Sequence, residues 1–299
     1  MDFTTLSHTV DEGVLTVTLD RPEQLNSFTT TMADELERTF RDANERDDVR
    51  GIIVTGAGRA FCAGMDLTAG GNVFGLDASL RPGFDDLADL DGESARAVRD
   101  TGGRVTLAIH DCRKPVVAAI NGAAVGIGAT MTLAMDARLA SEKARIGFVF
   151  GRLGIVPEAC SSFFLPRIVG LDKALDLILT ADILDAHAAL DVGLVRAVHA
   201  PEDLLAQARA LIDTWTLGRS PVGVALARQL ILRNAAASSP LEAHFADSLA
   251  MFWTSIGDGD EGVHAFLEKR SPNYGSRASE MPPFYDDWIA RSSARRLSD

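Results

Sequence analysis

The first half of the chain alternates between strand-like and helix-like patterns of apolar residues. Met32, Leu36 and Phe40 recur at helical spacing within residues 29–47, while acids and arginines face outward between them. Three short apolar runs are typical of strands, and the last two are continuous enough to be buried on both faces: 14–19, 51–56 and 115–120. Strands that alternate with helices predict a parallel, layered α/β architecture.

Helical patterns predominate from about residue 172 onward, where only residues 195–200 add a further strand-like run. Before that, residues 93–112 predict a helix that is interrupted by a glycine pair. Residues 68–92 fit neither period, and a loop of this length is usually either functional, as a lid would be, or disordered. The amphipathic C-terminal helices are expected to pack on the core or on a sister subunit.

The composition narrows the class of protein and its surroundings. With 299 residues and 46% hydrophobic composition, the chain is long enough to bury a large globular core. A formal net charge of -13 argues against general nucleic-acid binding, which needs a basic face. No basic segment followed by an apolar one begins the sequence, and no run approaches the roughly 20 apolar residues of a membrane span. We therefore expect a cytoplasmic protein, not bound to membranes, whose three cysteines are reduced.

One carboxylate stands in an otherwise uncharged segment, LGIVPEACSSFF, at residues 153–164. Glu158 follows Pro157, so one hypothesis is that it opens a helix, where an acid in the first turn complements the helix dipole. A second hypothesis is that apolar surroundings raise the pKa of this carboxyl group and make it a base in a dry pocket. The two hypotheses are compatible. Cys160 is a weaker candidate, because a nucleophilic thiol needs a nearby histidine that the sequence does not place.

Two glycine-rich segments are candidates for binding through backbone amides. GRAFCAGMDL, residues 58–67, lets the chain turn sharply at Ala63 and Gly64. NGAAVGIGATMTLAMD, residues 121–136, combines a strand end, a glycine-rich turn and an apolar helix, but Met131 stands where a dinucleotide fingerprint has its third glycine. Together with one buried acid, the two segments favour an oxyanion hole with a base beside it. The alternative to an oxyanion hole is that these glycines form turns that only allow a helix to pack on a strand.

Five segments occur in the order and spacing of the crotonase superfamily, the enoyl-CoA hydratase and isomerase family: RPEQLNSF, GRAFCAGMDL, PVVAAINGAAVGIG, LGIVPEACSSFFLPRIVG and FLEKRSPNY. The chain resembles this family over most of its length. The resemblance implies a crotonase-like spiral of ββα units in residues 1–200, and a helical region in residues 201–299 that forms a homotrimer or a dimer of trimers. It also implies an acyl-CoA thioester substrate whose oxygen is held by the backbone N–H groups of Met65 and Ile127, while Glu158 moves a proton.

The chain departs from the enoyl-CoA hydratases that it resembles. Those enzymes use two glutamates, and the corresponding places are Thr130 and Phe150, neither of which can act as a carboxylate. The PEACSS segment with Glu158 instead resembles the Δ3,Δ2-enoyl-CoA isomerase branch, in which one glutamate carries a proton from C2 to C4. One base suffices for a 1,3 proton shift, whereas hydration is easier with two groups, so isomerisation is preferred. Hydration of 2-enoyl-CoA, another enolate reaction and a catalytically silent acyl-CoA-binding protein remain alternatives.

The resemblance also implies where coenzyme A lies. Its adenine would contact the segment that follows the first glycine turn, and the thioester would lie beside the second: Ala63, Asp66, Leu67, Thr68 and Gly126. Arg21 and the pair Lys269 and Arg270 would meet the phosphates, although simple surface charge explains these cations equally well. Coenzyme A is part of the substrate, so no separate cofactor is expected. The sequence has no HExxH or CxxC segment, so no metal site is expected either.

Overall fold

A computed structural model of the protein describes residues 3–68, 72–87, 89–90 and 92–294 and contains ten strands within these ranges. In chain order they are β1 (Leu6–Asp11), β2 (Val14–Leu19), β3 (Gly51–Gly56), β4 (Ala60–Cys62), β5 (Val116–Ile120), β6 (Ala123–Val125), β7 (Ala137–Ser141), β8 (Arg145–Gly147), β9 (Ile183–Asp185) and β10 (Ala197–His199). The strand runs predicted at 14–19, 51–56, 115–120 and 195–200 correspond to β2, β3, β5 and β10.

Twelve α-helices occur within the same described ranges. They are α1 (Thr30–Asn44), α2 (Glu93–Val98), α3 (Thr101–Asp111), α4 (Ile127–Thr130), α5 (Ser161–Val169), α6 (Leu171–Thr180), α7 (Ala186–Asp191), α8 (Leu204–Thr216), α9 (Pro221–Asn234), α10 (Pro240–Ser255), α11 (Asp258–Glu268) and α12 (Tyr285–Ala294). None of the described helices is long and apolar enough to cross a membrane.

The strands form two sheets, and the chain alternates between them. The larger sheet has the order β1-β2-β3-β5-β7-β10, and the smaller has the order β4-β6-β8-β9. β3, β5 and β7 pair in parallel in the larger sheet, and the strand that follows each of them, β4, β6 and β8, pairs in parallel in the smaller one. Each turn of the chain therefore adds one strand to each sheet. This confirms the predicted α/β fold of the crotonase-like spiral.

The central strands are buried on both faces, as their continuous apolar runs predict. Ile52 and Val54 of β3 join the main core with α1, whereas Ile53 faces a second cluster. That second cluster contains Ala208 and Ile212 of α8, so α8 covers the opposite face of the larger sheet. The predicted division at residue 200 falls between β10 and α8 and stays a prediction.

The structure corrects the predicted interruption of the helix at 93–112. The chain breaks at Arg99 and Asp100, between α2 and α3, and not at the glycine pair. Gly102 and Gly103 lie in the first turn of α3, because the carboxylate of Asp100 caps that helix by accepting a 2.9 Å hydrogen bond from the Gly103 amide.

The segment predicted as a long loop has little regular structure where it is described. Residues 72–83 form turns and irregular segments, followed by a short 3-10 helix at Phe84–Leu87. Residues 69–71, 88 and 91 lie outside the described residues, so the prediction of a lid at 68–92 is tested only in part.

Candidate active site

The first glycine-rich segment forms a tight loop after β4. Gly64 has a φ of +104°, in the left-handed region that favours glycine. Phe28 binds this loop on both sides of Met65, because its amide donates to the Gly64 carbonyl at 2.8 Å and its carbonyl accepts from the Asp66 amide at 2.8 Å. The amide of Met65 itself therefore lies outside this pair of hydrogen bonds.

The second glycine-rich segment forms a similar loop after β6. Gly126 has a φ of +56°, and its carbonyl accepts a 2.9 Å hydrogen bond from the Thr130 amide, which closes the first turn of α4. In the described part of the chain, the amides of Met65 and Ile127 donate to no protein acceptor. Unpaired backbone donors of this kind are available to a ligand oxygen.

The two loops lie against each other. A Cβ added at Gly126 would lie 3.9 Å from the Cα of Gly64, and one added at Gly128 would lie 2.1 Å from the carbonyl oxygen of Cys62. α4 thus packs directly on the end of β4, which leaves no room for a side chain at Gly128. This close packing fixes the amides of Met65 and Ile127 on neighbouring loops, as the oxyanion-hole hypothesis requires.

Glu158 lies in the turn that precedes α5 and is half-buried. Its carbonyl accepts hydrogen bonds from the Ser161 amide at 3.0 Å and from the Ser161 hydroxyl at 2.6 Å, so the residue helps to begin α5. Its carboxyl group turns away from the helix and accepts a 2.6 Å hydrogen bond from the Thr130 hydroxyl of α4. The structure therefore agrees with the buried-acid hypothesis, whereas the helix-opening one is wrong: Glu158 lies before Cys160, the N-cap of α5, and the first turn of α5 contains no acid.

The turn that carries Glu158 has an unusual backbone. Ala159 and Cys160 have φ values of 55° and 54°, so two consecutive residues with side chains adopt the left-handed conformation. Each such residue costs on the order of 1 kcal/mol or more, and strained backbone of this kind is concentrated at functional sites. The surrounding packing must therefore hold this turn in place.

A second carboxyl group lies beside Glu158, and the sequence analysis missed it. Burial, and then the neighbouring carboxylate of Asp100, raise the pKa of Glu158 to about 9, while the hydrogen bond from Thr130 acts in the opposite direction. Asp100 also accepts a 3.0 Å hydrogen bond from the amide of Ala159, the residue after Glu158. Glu158 is therefore not the solitary acid that the sequence suggested. In the sequence, Asp100 directly precedes Thr-Gly-Gly at the start of a helix. This pattern indicates a helix cap, so it did not mark Asp100 as part of the site.

The residues predicted to bind coenzyme A form a hydrogen-bonded group at the first loop. Arg21 donates to the carboxylate of Asp66 at 2.8 Å and to the carbonyl of Ser27 at 2.5 Å. Thr68 donates to the other oxygen of Asp66 through its hydroxyl at 2.6 Å and its amide at 3.1 Å. These bonds, first that of the Thr68 hydroxyl and then that of Arg21, hold the pKa of Asp66 well below its usual range. The guanidinium of Arg21 is thus ion-paired with Asp66 within this loop.

The other predicted binding residues lie in different surroundings. The amide of Ala63 donates to the Leu25 carbonyl at 3.1 Å, while the side chain of Leu67 is 53% exposed at the surface. Lys269 ends α11 in the C-terminal helical region and is exposed. The loops of Met65 and Ile127 lie against each other, and the side chains of Ile127 and Glu158 both approach Gly102, whereas Lys269 lies at the end of α11.

The two positions that the family resemblance assigns to hydratase glutamates hold residues of different character. Thr130 is fully buried and bonded to Glu158, and Phe150 is buried with 4% of its surface exposed. Among the described residues, no group of three or more His, Cys, Asp or Glu side chains is arranged to hold a metal ion. The chemistry available at this site is therefore that of two amides, one hydroxyl and a pair of carboxyl groups.

Two unpaired amides beside a half-buried acid, carried on a two-sheet spiral, are groups that suit an enzyme in which an oxyanion is stabilised while a proton moves. The sequence profile of the enoyl-CoA hydratase/isomerase family matches residues 9–277. The chain belongs to this family, which confirms the resemblance to the crotonase superfamily and the prediction of an enzyme.

Known relatives and solved structures cover nearly the whole chain. The protein named enoyl-CoA hydratase AFT3-1 of Alternaria alternata is 38% identical over 272 residues, which are 90% of this chain and 86% of that protein. The 1,2-epoxyphenylacetyl-CoA isomerase of Escherichia coli (strain K12) is 34% identical over 273 residues, 90% of this chain and 97% of that protein. The crystal structure of an enoyl-CoA hydratase from Bacillus anthracis aligns with a TM-score of 0.77 at 30% identity, over 91% of this chain and 99% of that one.

Proposed function

We propose that this enzyme shifts the double bond of an enoyl-CoA thioester by a 1,3 proton transfer in which Glu158 carries the proton. The observation that supports this most directly is the position of the Glu158 carboxyl group, half-buried and bonded to α4, the helix whose first amide is unpaired. Thr130 and Phe150 stand at the places of the two glutamates of related hydratases, so a single glutamate is left to transfer the proton. The enzyme uses no cofactor other than the coenzyme A of its substrate.

The two amides supply the stabilisation that this reaction needs. Removal of a proton from C2 of a thioester places negative charge on the carbonyl oxygen. The N–H groups of Met65 and Ile127 donate to that oxygen, and these bonds strengthen as the charge develops. Loss of one such donor raises a barrier by about 3 to 4 kcal/mol in enzymes of this kind. Glu158 takes the C2 proton and returns it to C4, so the proton balance closes within the site.

The ionisation of Glu158 sets the pH dependence of this reaction. A base must be ionised, and with a pKa of about 9 the carboxyl group is mostly protonated at neutral pH in the free enzyme. The value of kcat/KM for isomerisation should therefore rise with pH and level off above about pH 9.

Hydration of a 2-enoyl thioester is the second candidate function, and the Asp100–Glu158 pair favours it. Two carboxyl groups that share a proton provide one acid and one base, which hydration requires. Asp100 already accepts from the amides of Gly103 and Ala159, so it is less free to activate water than Glu158 is to move a proton. Several relatives, including the one from Alternaria alternata, carry hydratase names.

The test incubates the purified enzyme with 2-enoyl-CoA and 3-enoyl-CoA thioesters in deuterated water and identifies the products by mass spectrometry. Interconversion of the two enoyl thioesters supports isomerisation, and a product heavier by one water supports hydration. Glu158→Gln should abolish either reaction, while Glu142→Gln, at an exposed acid, should leave it unchanged. Full activity of Glu158→Gln, or no conversion by the unaltered enzyme, would contradict the proposal.

We also propose that the enzyme is a homo-oligomer, as the family resemblance implies. The single chain exposes large apolar side chains along α10 and α11, where Phe252 is 56%, Phe266 82% and Leu267 70% exposed. Clusters of this kind typically lie in subunit interfaces. Light scattering coupled to gel filtration should give the mass of a trimer or hexamer, and a monomer at micromolar concentration would contradict this expectation.

A further inference from the structure

Asp100 connects two elements of the site through its carboxylate. One oxygen accepts a 2.9 Å hydrogen bond from the amide of Gly103 in the first turn of α3, and the other accepts a 3.0 Å hydrogen bond from the amide of Ala159. Ala159 is the first of the two left-handed residues after Glu158. One side chain therefore ties the start of α3 to the strained turn that positions the proposed base.

Glu158 also packs closely on the start of α3. A Cβ added at Gly102 would lie 2.0 Å from Oε2 of Glu158, so only glycine at this position lets the carboxyl group approach the helix. The side chains of Asp100 and Glu158 are close enough for a hydrogen bond between them. Two ionised carboxylates at this separation repel each other, and a single shared proton removes the repulsion.

The other groups that face Glu158 do not supply a counter-charge. Thr130 of α4 is a neutral hydroxyl that donates to Oε1. Cys62 of β4 is fully buried, and burial raises the pKa of its thiol to about 12, so it remains neutral. Asp100 is the charged group that acts on Glu158 from α3. The protonation of Glu158 therefore responds mainly to burial and to Asp100.

We propose that Asp100 is a positioning residue that locks the turn carrying Glu158 and keeps a proton on Glu158 in the resting enzyme. This inference rests on the proposed role of Glu158 as the proton carrier. Burial and then the neighbouring carboxylate of Asp100 disfavour the ionised form of Glu158, while Asp100 stays bonded to the amides of Gly103 and Ala159. Glu158 lies in drier surroundings, where the neutral form is favoured.

Three variants separate the charge of Asp100 from its role as a helix cap. Asp100→Asn removes the charge and keeps an oxygen that can accept from a backbone amide. Asp100→Ser keeps a cap for the Gly103 amide but is too short to reach Ala159 or Glu158. Asp185→Asn makes the same chemical change at the cap of α7, where Asp185 accepts from the Ala188 amide at 2.8 Å, and serves as the control.

Two measurements test the inference. The first is the pH dependence of kcat/KM on an enoyl-CoA substrate, and the second is an infrared titration that follows the protonated Glu158 carboxyl group, assigned by its loss in Glu158→Gln. In Asp100→Asn the midpoint of both should move to lower pH by about one unit or more, since a like charge has been removed. Asp100→Ser should show the same shift together with a kcat about tenfold lower, because the turn is released. Asp185→Asn should match the unaltered enzyme.

The inference would be overturned if Asp100→Asn, folded as shown by circular dichroism, titrated with the midpoint of the unaltered enzyme. It would also be overturned if Asp100→Ser lowered kcat with no change in midpoint, because loss of the hydrogen bond to the Ala159 amide alone would do that. If Glu158→Gln kept full activity, the proposed function would fail, whereas the infrared titration would still decide whether Asp100 holds the proton on Glu158. The two failures are therefore distinguishable.

Discussion

The hydroxyl of Thr130 donates a 2.6 Å hydrogen bond to Oε1 of Glu158. Thr130 stands at a position that the family resemblance assigns to a hydratase glutamate, and its neutral hydroxyl contacts the acid at position 158. The hydrogen bond favours the ionised form of Glu158, whereas burial and Asp100 favour the protonated form. The readiness of Glu158 to act as a base is set by the balance of these opposing effects.

Thr130→Val should leave less of Glu158 ionised at neutral pH, because it removes this donor while keeping the shape of the buried side chain. A hydrogen bond to a charged group contributes about 1.5 to 3 kcal/mol, so we expect kcat/KM at neutral pH to fall by roughly tenfold to a hundredfold. The pKa of Glu158 should rise, so the pH profile of kcat/KM should move to higher pH. Thr130→Ser keeps the hydroxyl and should stay near the profile of the unaltered enzyme; equal profiles for all three proteins would refute this role.

Gly102→Ala should displace the carboxyl group of Glu158 without unfolding the protein. The new Cβ would lie 2.0 Å from Glu158 Oε2 and 2.4 Å from Cδ1 of Ile127, so both side chains must move. Alanine favours a helix over glycine by about 1 kcal/mol, which offsets part of the cost of the crowding. We therefore expect kcat to fall at least about tenfold, with little change in the midpoint of thermal unfolding.

The control for this prediction is Gly223→Ala in the first turn of α9. Its added Cβ would meet only the side chain of Ser220, at 3.2 Å, and it lies away from Glu158. Activity should be retained in this variant. If Gly102→Ala were as active as Gly223→Ala, the close approach of Glu158 to α3 would have no role in catalysis.

The elements that sequence alone predicted are those whose pattern follows from burial. β3 and β5 lie inside the larger sheet, and their apolar runs identified them. β4, β6 and β8 have three residues each, and β9 also has three, so no period of two could be recognised in them. The smaller sheet was therefore missed as strands, and only the resemblance to the family implied the spiral that contains it.

The site was predictable where local sequence determines the geometry. Gly64 and Gly126 adopt left-handed conformations, so the loops around Met65 and Ile127 could be located from glycine positions. Asp100 could not be found in this way, because its contact with Glu158 joins residues 58 positions apart and depends on how α3 packs. A carboxylate that caps one helix while contacting a distant turn has no distinct sequence pattern.

Arg21 should act through the first loop rather than through the phosphates of coenzyme A. It bridges Asp66 and Ser27 beside Met65, so Arg21→Met should let this loop shift and lower kcat by roughly tenfold. The loss should be equal for enoyl-CoA and for the corresponding pantetheine thioester, which lacks the nucleotide. Arg209→Met, which removes a surface pair with Asp11, is the control. A rise in KM confined to the coenzyme A substrate would instead support phosphate binding by Arg21.

Arg228 should stabilise the attachment of the C-terminal helices to the core. From α9 its guanidinium donates to Asp136 at 2.8 Å and to the carbonyl of His110 at 3.0 Å, and 6% of its side chain is exposed. Arg228→Met would remove the ion pair with Asp136 and the buried hydrogen bond to the His110 carbonyl, so we expect the free energy of unfolding in urea to fall by about 3 to 5 kcal/mol. Arg291→Met breaks an exposed pair with Asp287 and should change this free energy by less than about 0.5 kcal/mol. Equal losses in the two variants would mean that the buried pair does not hold α9 against the core.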